Sequence, residues 1–387
     1  RPSTRPERGN HGPLVYCQSY ADFADCDLVV EAVFENMRVK KQIFAQLNAV
    51  CRADCFLCSN TSALDIDEIA DVVTNDPTRV MGTHFFSPAN VMKLLENVRA
   101  ARTSDLTVAS MMAWGKKIGK WVILVGNCQG FVGNRMVALY GTQARVMLLE
   151  GAYPSDVDGA ATRFGMRVGP LLMSDIVGLE LGMPRGDARA AALKAGTFNP
   201  KRNLQEALVV AGRKGQRFGT GGYFDYDGKS RVPKPSPQVR KMLEEVRANW
   251  KGDARWAAAP RDDISEQEIV NRLMMPLVNE GFKILEEGFA RRPADIDVCY
   301  VHGYSFPRRK GGPMHWADQL GLARVQRTLE EIGVRPSKLL LACVEEGCTL
   351  DAYWKKHGAA ILKRAGPPKR RPEGSPKGSV VGGQARL

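Results

Sequence analysis

Apolar positions in the first third of the chain come in short runs separated by amphipathic stretches. Asp27-Leu-Val-Val-Glu-Ala-Val33 reads as a buried strand, and a helix is predicted over 38–52. A strand at 55–59, a short helix near 66–73 and a strand at 79–86 follow. Then come a strand at 92–98, a helix at 105–118 and the strand Trp121-Val-Ile-Leu-Val125. Strands alternating with helices predict an α/β sheet, mostly parallel.

From Gly130 onward the period becomes helical. Met136, Tyr140, Ala144 and Met147 fall on one face. Ser265-Glu-Gln-Glu268 has the form of a capping box, and Val270, Leu273, Leu277 and Ile284 continue as a stripe. Pro276 inside that stripe is expected to kink the helix. The two helical stretches look like copies. Asn134-Arg135 recurs as Asn271-Arg272, and Glu150-Gly151 as Glu287-Gly288, both 137 positions on. Asp156 and Asp158 match Asp295 and Asp297. Gly169-Pro170, Asp175 and Gly178-Leu179 match Gly312-Pro313, Asp318 and Gly321-Leu322. A match offset that only grows along the chain fits small insertions in a duplicated unit.

The fold class expected is therefore α/β followed by all-α, in five segments. Residues 1–127 form a partial dinucleotide-binding domain and 128–227 the first helical copy. Residues 228–263 are a Pro- and Lys-rich linker, 264–362 the second copy and 363–387 a basic tail. A dinucleotide-binding fold opens with a strand, a Gly-x-Gly-x-x-Gly turn and a helix. No such turn precedes Leu28, so the Rossmann-like domain is expected to lack its first βαβ unit. Residue 1 is not Met, and it is read as the edge of an incomplete chain.

Composition changes this picture little. The 387 residues are 44% hydrophobic, and no apolar run is long enough for a membrane span. Net charge is +13, but residues 363–387 alone carry +6 without interleaved aromatics. Such a distribution describes solvated tails and argues against a nucleic-acid surface. Nine cysteines, mostly in apolar surroundings, suit a reducing compartment. Cys51, Cys55 and Cys58 have the spacing of an iron–sulfur motif. Cys51 should end a helix, however, and Cys55 and Cys58 should face opposite sides of a strand, so no metal site is expected.

The candidate chemistry lies in Gly82-Thr-His84-Phe-Phe-Ser-Pro88. If strands 79–86 and 92–98 fold back about Asn90, His84 lies opposite Glu96, with Cβ atoms about 5 Å apart. A carboxylate beside an imidazole orients it and raises its basicity, as a general base requires. A structurally satisfied buried histidine has the same pattern, so the spacing alone leaves both readings open. Ser59-Asn-Thr-Ser62 stands at a strand's carboxyl end, where α/β sheets bind ligands, and one of these residues is expected to cap the helix near 66–73. Asn134 lies near the start of the first long helix.

These residues resemble a known family. Asp27-Leu-Val-Val-Glu-Ala-Val-Phe-Glu-Asn36, Ser59-Asn-Thr-Ser-Ala-Leu64 and Gly82-Thr-His-Phe-Phe-Ser-Pro-Ala89 occur in its order. Met92-Lys-Leu-Leu-Glu96 and Gly130-Phe-Val-Gly-Asn-Arg135 follow. The set is similar to the L-3-hydroxyacyl-CoA dehydrogenases. Tyr300-Val-His-Gly-Tyr304, Arg309-Lys-Gly-Gly-Pro-Met314 and the duplicated helical unit resemble that family's peroxisomal bifunctional branch. The resemblance implies NAD-dependent oxidation of an L-3-hydroxyacyl-CoA to a 3-ketoacyl-CoA in β-oxidation. His84 would be the base, Glu96 its partner, and Ser62 and Asn134 would hydrogen-bond the substrate oxygen and thioester region. Ala32, Glu35, Lys40, Ser62 and Ser87 match positions beside the cofactor. The family's glycine-rich turn is missing, which keeps open a non-catalytic remnant unable to bind NAD. Ala385-Arg386-Leu387 resembles a peroxisomal address, implying an import receptor as partner and a peroxisome or related organelle as location.

Overall fold

The computed structural model describes residues 7–9, 12–181, 183–184, 186–228, 230–250, 261–366 and 370. A short hairpin, β1 (Glu7–Gly9) and β2 (Gly12–Leu14), precedes the main sheet. That sheet has five strands in sequential order: β3 (Leu28–Glu31), β4 (Phe56–Ser59), β5 (Val80–Phe85), β6 (Leu94–Arg99) and β7 (Trp121–Gly126). All neighbours are parallel except β5 and β6. Among the described residues β3 has no partner on its outer edge.

Helices α1 (Met37–Val50) and α2 (Ile66–Ala70) cover one face of this sheet, and α3 (Asp105–Lys117) the other. Cys51 is the C-cap of α1. Cys55 packs in the core on the α1 and α2 side, and Cys58 lies against Met111 of α3. The alternation of strand side chains thus separates Cys55 from Cys58.

The helical region repeats itself element by element. In the first unit α4 (Gly133–Glu150), α5 (Pro154–Phe164) and α6 (Pro170–Val177) are matched in the second by α10 (Glu266–Glu286), α11 (Pro293–Gly303) and α12 (Pro313–Leu320). Met136, Tyr140, Ala144 and Met147 are buried as the stripe predicts, and Pro276 lies within the single 21-residue helix α10. The first unit continues through α7 (Gly186–Lys194) and α8 (Leu204–Val210), the second through α13 (Leu322–Glu331), α14 (Lys338–Glu345) and α15 (Leu350–Ala365).

The repeated aspartates play the same part in both units. Asp158 accepts the first-turn amides of Leu171 and Leu172, and Asp297 accepts those of Met314 and His315. These are orphan helix donors that need a partner. A Cβ on Gly169 would lie 2.2 Å from Asp158, and one on Gly312 would lie 2.4 Å from Asp297. Each Gly-Pro pair therefore opens a helix that a carboxylate caps at close range. Asp175 accepts from Tyr223 and Phe224, and Asp318 from Leu350 and Asp351, tying later segments back in both units.

Burial pushes Asp158 and Asp297 up to about 7, against the amide hydrogen bonds that favour the charged form. A folded pKa above the unfolded value of about 3.9 means the folded chain binds the proton more tightly. The resulting stabilisation is complete below about pH 4 and is lost as pH rises through about 7. Melting curves between pH 5 and pH 8 should therefore show a steeper loss with rising pH in the parent than in an Asp158→Asn/Asp297→Asn variant. Equal slopes would contradict this.

α4 and α10 pack against each other with reciprocal contacts. Arg135 reaches Glu280 and Glu287; Arg272 reaches Gln143 and Glu150. Each member of one set lies 137 positions from its counterpart in the other. This exchange is the signature of an isologous, two-fold interface, formed here within one chain.

The segment expected as a linker is more than a connection. Residues 237–249 form helix α9 (Pro237–Asn249), capped by Ser236, with Val239, Leu243 and Val246 buried against the first unit. A stretch rich in Pro and Lys misleads here because Pro237 occupies the first helical turn, where proline is tolerated. α15 extends through Ala365 into the expected tail. Arg370 pairs with Asp71, and the terminal Ala385-Arg386-Leu387 lies outside the described residues. No helix among the described residues is long and apolar enough to cross a membrane.

Candidate functional site

The antiparallel turn between β5 and β6 sets His84 directly opposite Glu96. His84 Nδ1 lies 2.7 Å from Glu96 Oε2, and both side chains are buried. The other carboxylate oxygen accepts the Gly133 amide at 3.0 Å, with the Cys299 thiol at 3.8 Å. Glu96 is thus held by groups from β5, α4 and α11. Phe86 and Phe131 flank the imidazole, with ring centroids 4.6 and 6.0 Å away. Asn60 at the end of β4 accepts the amide of Phe85, fixing the strand beside His84.

A second cluster forms at the carboxyl ends of β3 and β4. Glu35 Oε1 accepts from the Thr61 hydroxyl and from both the amide and hydroxyl of Ser62. Lys40 lies 3.5 Å from Glu35 and 2.7 Å from Glu31. Asn134 Nδ2 donates to the Ser62 carbonyl at 3.2 Å. Ala32 is exposed at the end of β3, and Ser87 is exposed in the loop after β5, before a cis Ser87–Pro88 bond. Among the described residues no hydrogen bond joins His84 to Ser62 or Asn134. The two clusters meet through aromatic packing instead: Phe86 lies between His84 and Tyr304, and the Tyr304 hydroxyl bonds Asn134.

One expectation fails locally. The helix after Ser59–Ser62 is capped by Asp65, which accepts the Asp67 amide. Thr61 closes the preceding turn by accepting from Ala63 and Leu64. The Ser59 hydroxyl donates to Glu31 and those of Thr61 and Ser62 to Glu35, which leaves the cap to the later carboxylate.

Several site residues were not found from the sequence. Glu31 is a buried carboxylate that accepts Lys40, the Ser59 hydroxyl and the Val33 amide. A charge within an apolar strand was the available signal, since such groups are buried only when paired. Tyr304, Cys299 and Gly133 had no comparable local signal. A Cβ on Gly133 would lie 2.4 Å from the Tyr304 ring, so the start of α4 requires glycine there.

Comparisons with known proteins agree with this architecture. Residues 10–128 match the NAD binding domain of 3-hydroxyacyl-CoA dehydrogenase. Residues 130–225 and 269–358 match the family's C-terminal domain, once for each helical unit. The chain is 45% identical over 329 residues to the peroxisomal bifunctional enzyme of Cavia porcellus, covering 82% of this chain and 44% of that protein. It is 44% identical over 323 residues to the human peroxisomal bifunctional enzyme, covering 81% and 43%. The chain thus spans less than half the length of these relatives. The crystal structure of the dehydrogenase part of multifunctional enzyme 1 from C. elegans superposes with a TM-score of 0.55 at 30% identity, covering 81% of this chain and 69% of that one. On these matches and this fold, the chain belongs to the 3-hydroxyacyl-CoA dehydrogenase family of oxidoreductases.

Proposed function

We propose that the chain carries the site for NAD-dependent oxidation of L-3-hydroxyacyl-CoA to 3-ketoacyl-CoA. The observation that carries this reading is the buried His84–Glu96 pair. A carboxylate of Glu96 only accepts hydrogen bonds, so Nδ1 carries the proton and Nε2 keeps its lone pair. Nε2 then takes the proton of the 3-hydroxyl as C3 gives up its hydride. Glu96 balances the imidazolium, and its second oxygen stays fixed by Gly133. The amide of Asn134 would hold the substrate oxygens, joined by the Ser62 hydroxyl once it turns from Glu35 toward the ligand.

The residues beside this site fit one end of NAD. Ala32 leaves the end of β3 open, and Glu35 joins Ser62 by hydrogen bonds and Lys40 by an ion pair beside the carboxyl ends of two parallel strands, where such sheets bind ligands. These residues and Ser87 would face the ribose and nicotinamide. When bound, NAD supplies the hydride acceptor. With the family's peroxisomal relatives, Ala385-Arg386-Leu387 supports delivery to a peroxisome or related organelle by an import receptor.

Titration calorimetry with NAD, followed by an NADH-formation assay with an L-3-hydroxyacyl-CoA, tests this reading. Binding and turnover are expected; a folded chain that binds no NAD and turns over no substrate would overturn it.

A further inference from the structure

Asn134 has both ends of its amide engaged. Nδ2 donates to the Ser62 carbonyl, and Oδ1 lies 2.7 Å from the hydroxyl of Tyr304. A carbonyl can only accept, so the amide orientation is determined: nitrogen toward Ser62, oxygen toward Tyr304. The tyrosine hydroxyl must therefore donate. Burial, reinforced by the nearby Glu96 charge, pushes its ionisation well above the ordinary range, so it remains a donor.

Tyr304 belongs to the second helical unit, at the C-cap of α11. Its ring stacks on Tyr300 at 4.9 Å and meets Phe86 edge-on at 5.4 Å. Tyr300 in turn donates to the Gly133 carbonyl at 3.0 Å. Two tyrosines of the second unit thus hold consecutive residues, Gly133 and Asn134, at the start of the first unit's long helix. Gly133 supplies the amide that holds Glu96, and Asn134 presents its remaining amide hydrogen.

We propose that Tyr304 is a positioning residue: its hydroxyl fixes the amide of Asn134 so that the spare N–H faces the reacting oxygen of the substrate. The second helical unit then does more than pack against the first. It sets the orientation of a hydrogen-bond donor for the substrate. This rests on the dehydrogenase reading above, in which Asn134 touches substrate.

The test is Tyr304→Phe in the full chain, which keeps the ring stack and removes only the hydroxyl. Turnover should fall about ten-fold, the scale of one misplaced hydrogen bond, with KM for NAD unchanged. The decisive comparison is the cycle with Asn134→Ala. If Tyr304 works through Asn134, adding Tyr304→Phe to Asn134→Ala should cost nothing further. Equal losses in both backgrounds would overturn the proposal. A readout independent of catalysis is the side-chain amide resonance pair of Asn134 in a ¹⁵N spectrum. It should shift and broaden in Tyr304→Phe, and an unchanged pair would equally overturn the proposal. If the parent chain itself turns over no substrate, the dehydrogenase reading fails, whereas the resonance still reports whether Tyr304 holds Asn134.

Discussion

His84→Gln should lower turnover of an L-3-hydroxyacyl-CoA by about 10²- to 10⁴-fold, the range for loss of a general base. Glutamine keeps a donor within reach of Glu96, so the buried carboxylate retains a partner and the fold should persist. NAD affinity should stay near that of the parent, because the residues matched to the cofactor lie on α1 and on the loops after β3, β4 and β5, and among the described residues none of them hydrogen-bonds His84. Glu96→Gln should give a comparable loss by another route. Its amide would donate to Nδ1, moving the imidazole proton to Nε2 and blocking proton uptake there. Stopped assays with both variants, beside their melting curves, check this. Activity unaffected by His84→Gln would sink the assignment of the base.

The second large effect concerns stability. Arg272 and Glu150 form a pair between the two helical units, both almost fully buried, with Gln143 as a further partner of Arg272. Arg272→Met removes the guanidinium that faces the Glu150 carboxylate and should destabilise the folded chain by about 3–5 kcal/mol. The related pair Arg135–Glu287 is the same contact in reverse, but the Glu287 side chain is 43% exposed. Glu287→Gln should therefore cost only about 0–1 kcal/mol. Adding Glu150→Leu to Arg272→Met should recover much of the loss, since an apolar pair avoids the buried charge. Denaturant titration of the three variants measures this. A small effect of Arg272→Met would mean that water reaches the pair in solution.

Much of the sheet domain could be read directly from the chain. Its strands are short apolar runs bounded by polar turns, and their period fixes which side chains share a face. The fold-back about Asn90 follows from the same rule: in an antiparallel pair, positions equidistant from the turn must meet, so His84 and Glu96 are opposed. The helical duplication was equally readable, since identical caps and glycine approaches demand identical residues at Asp158 and Asp297, or Gly169 and Gly312. Residues 237–249 were misread because proline and lysine suggest a linker, whereas Pro237 starts a helix whose apolar stripe the first unit buries.

What remained hidden is of a different kind. Glu31 and Lys40 are partners across a strand and a helix, and neither residue shows its mate in its local pattern. The Tyr304–Asn134 bond spans 170 positions, and the Arg–Glu exchange between α4 and α10 joins residues more than a hundred apart. Periodicity reports the face a side chain lies on, over one or two turns. It carries no information about which distant element will cover that face. The sequence by itself therefore determined the five strands of the main sheet, the opposed His84 and Glu96 and the two helical copies. Only the tertiary structure decided that the second copy closes over the start of α4, because that depends on how two packed helices cross.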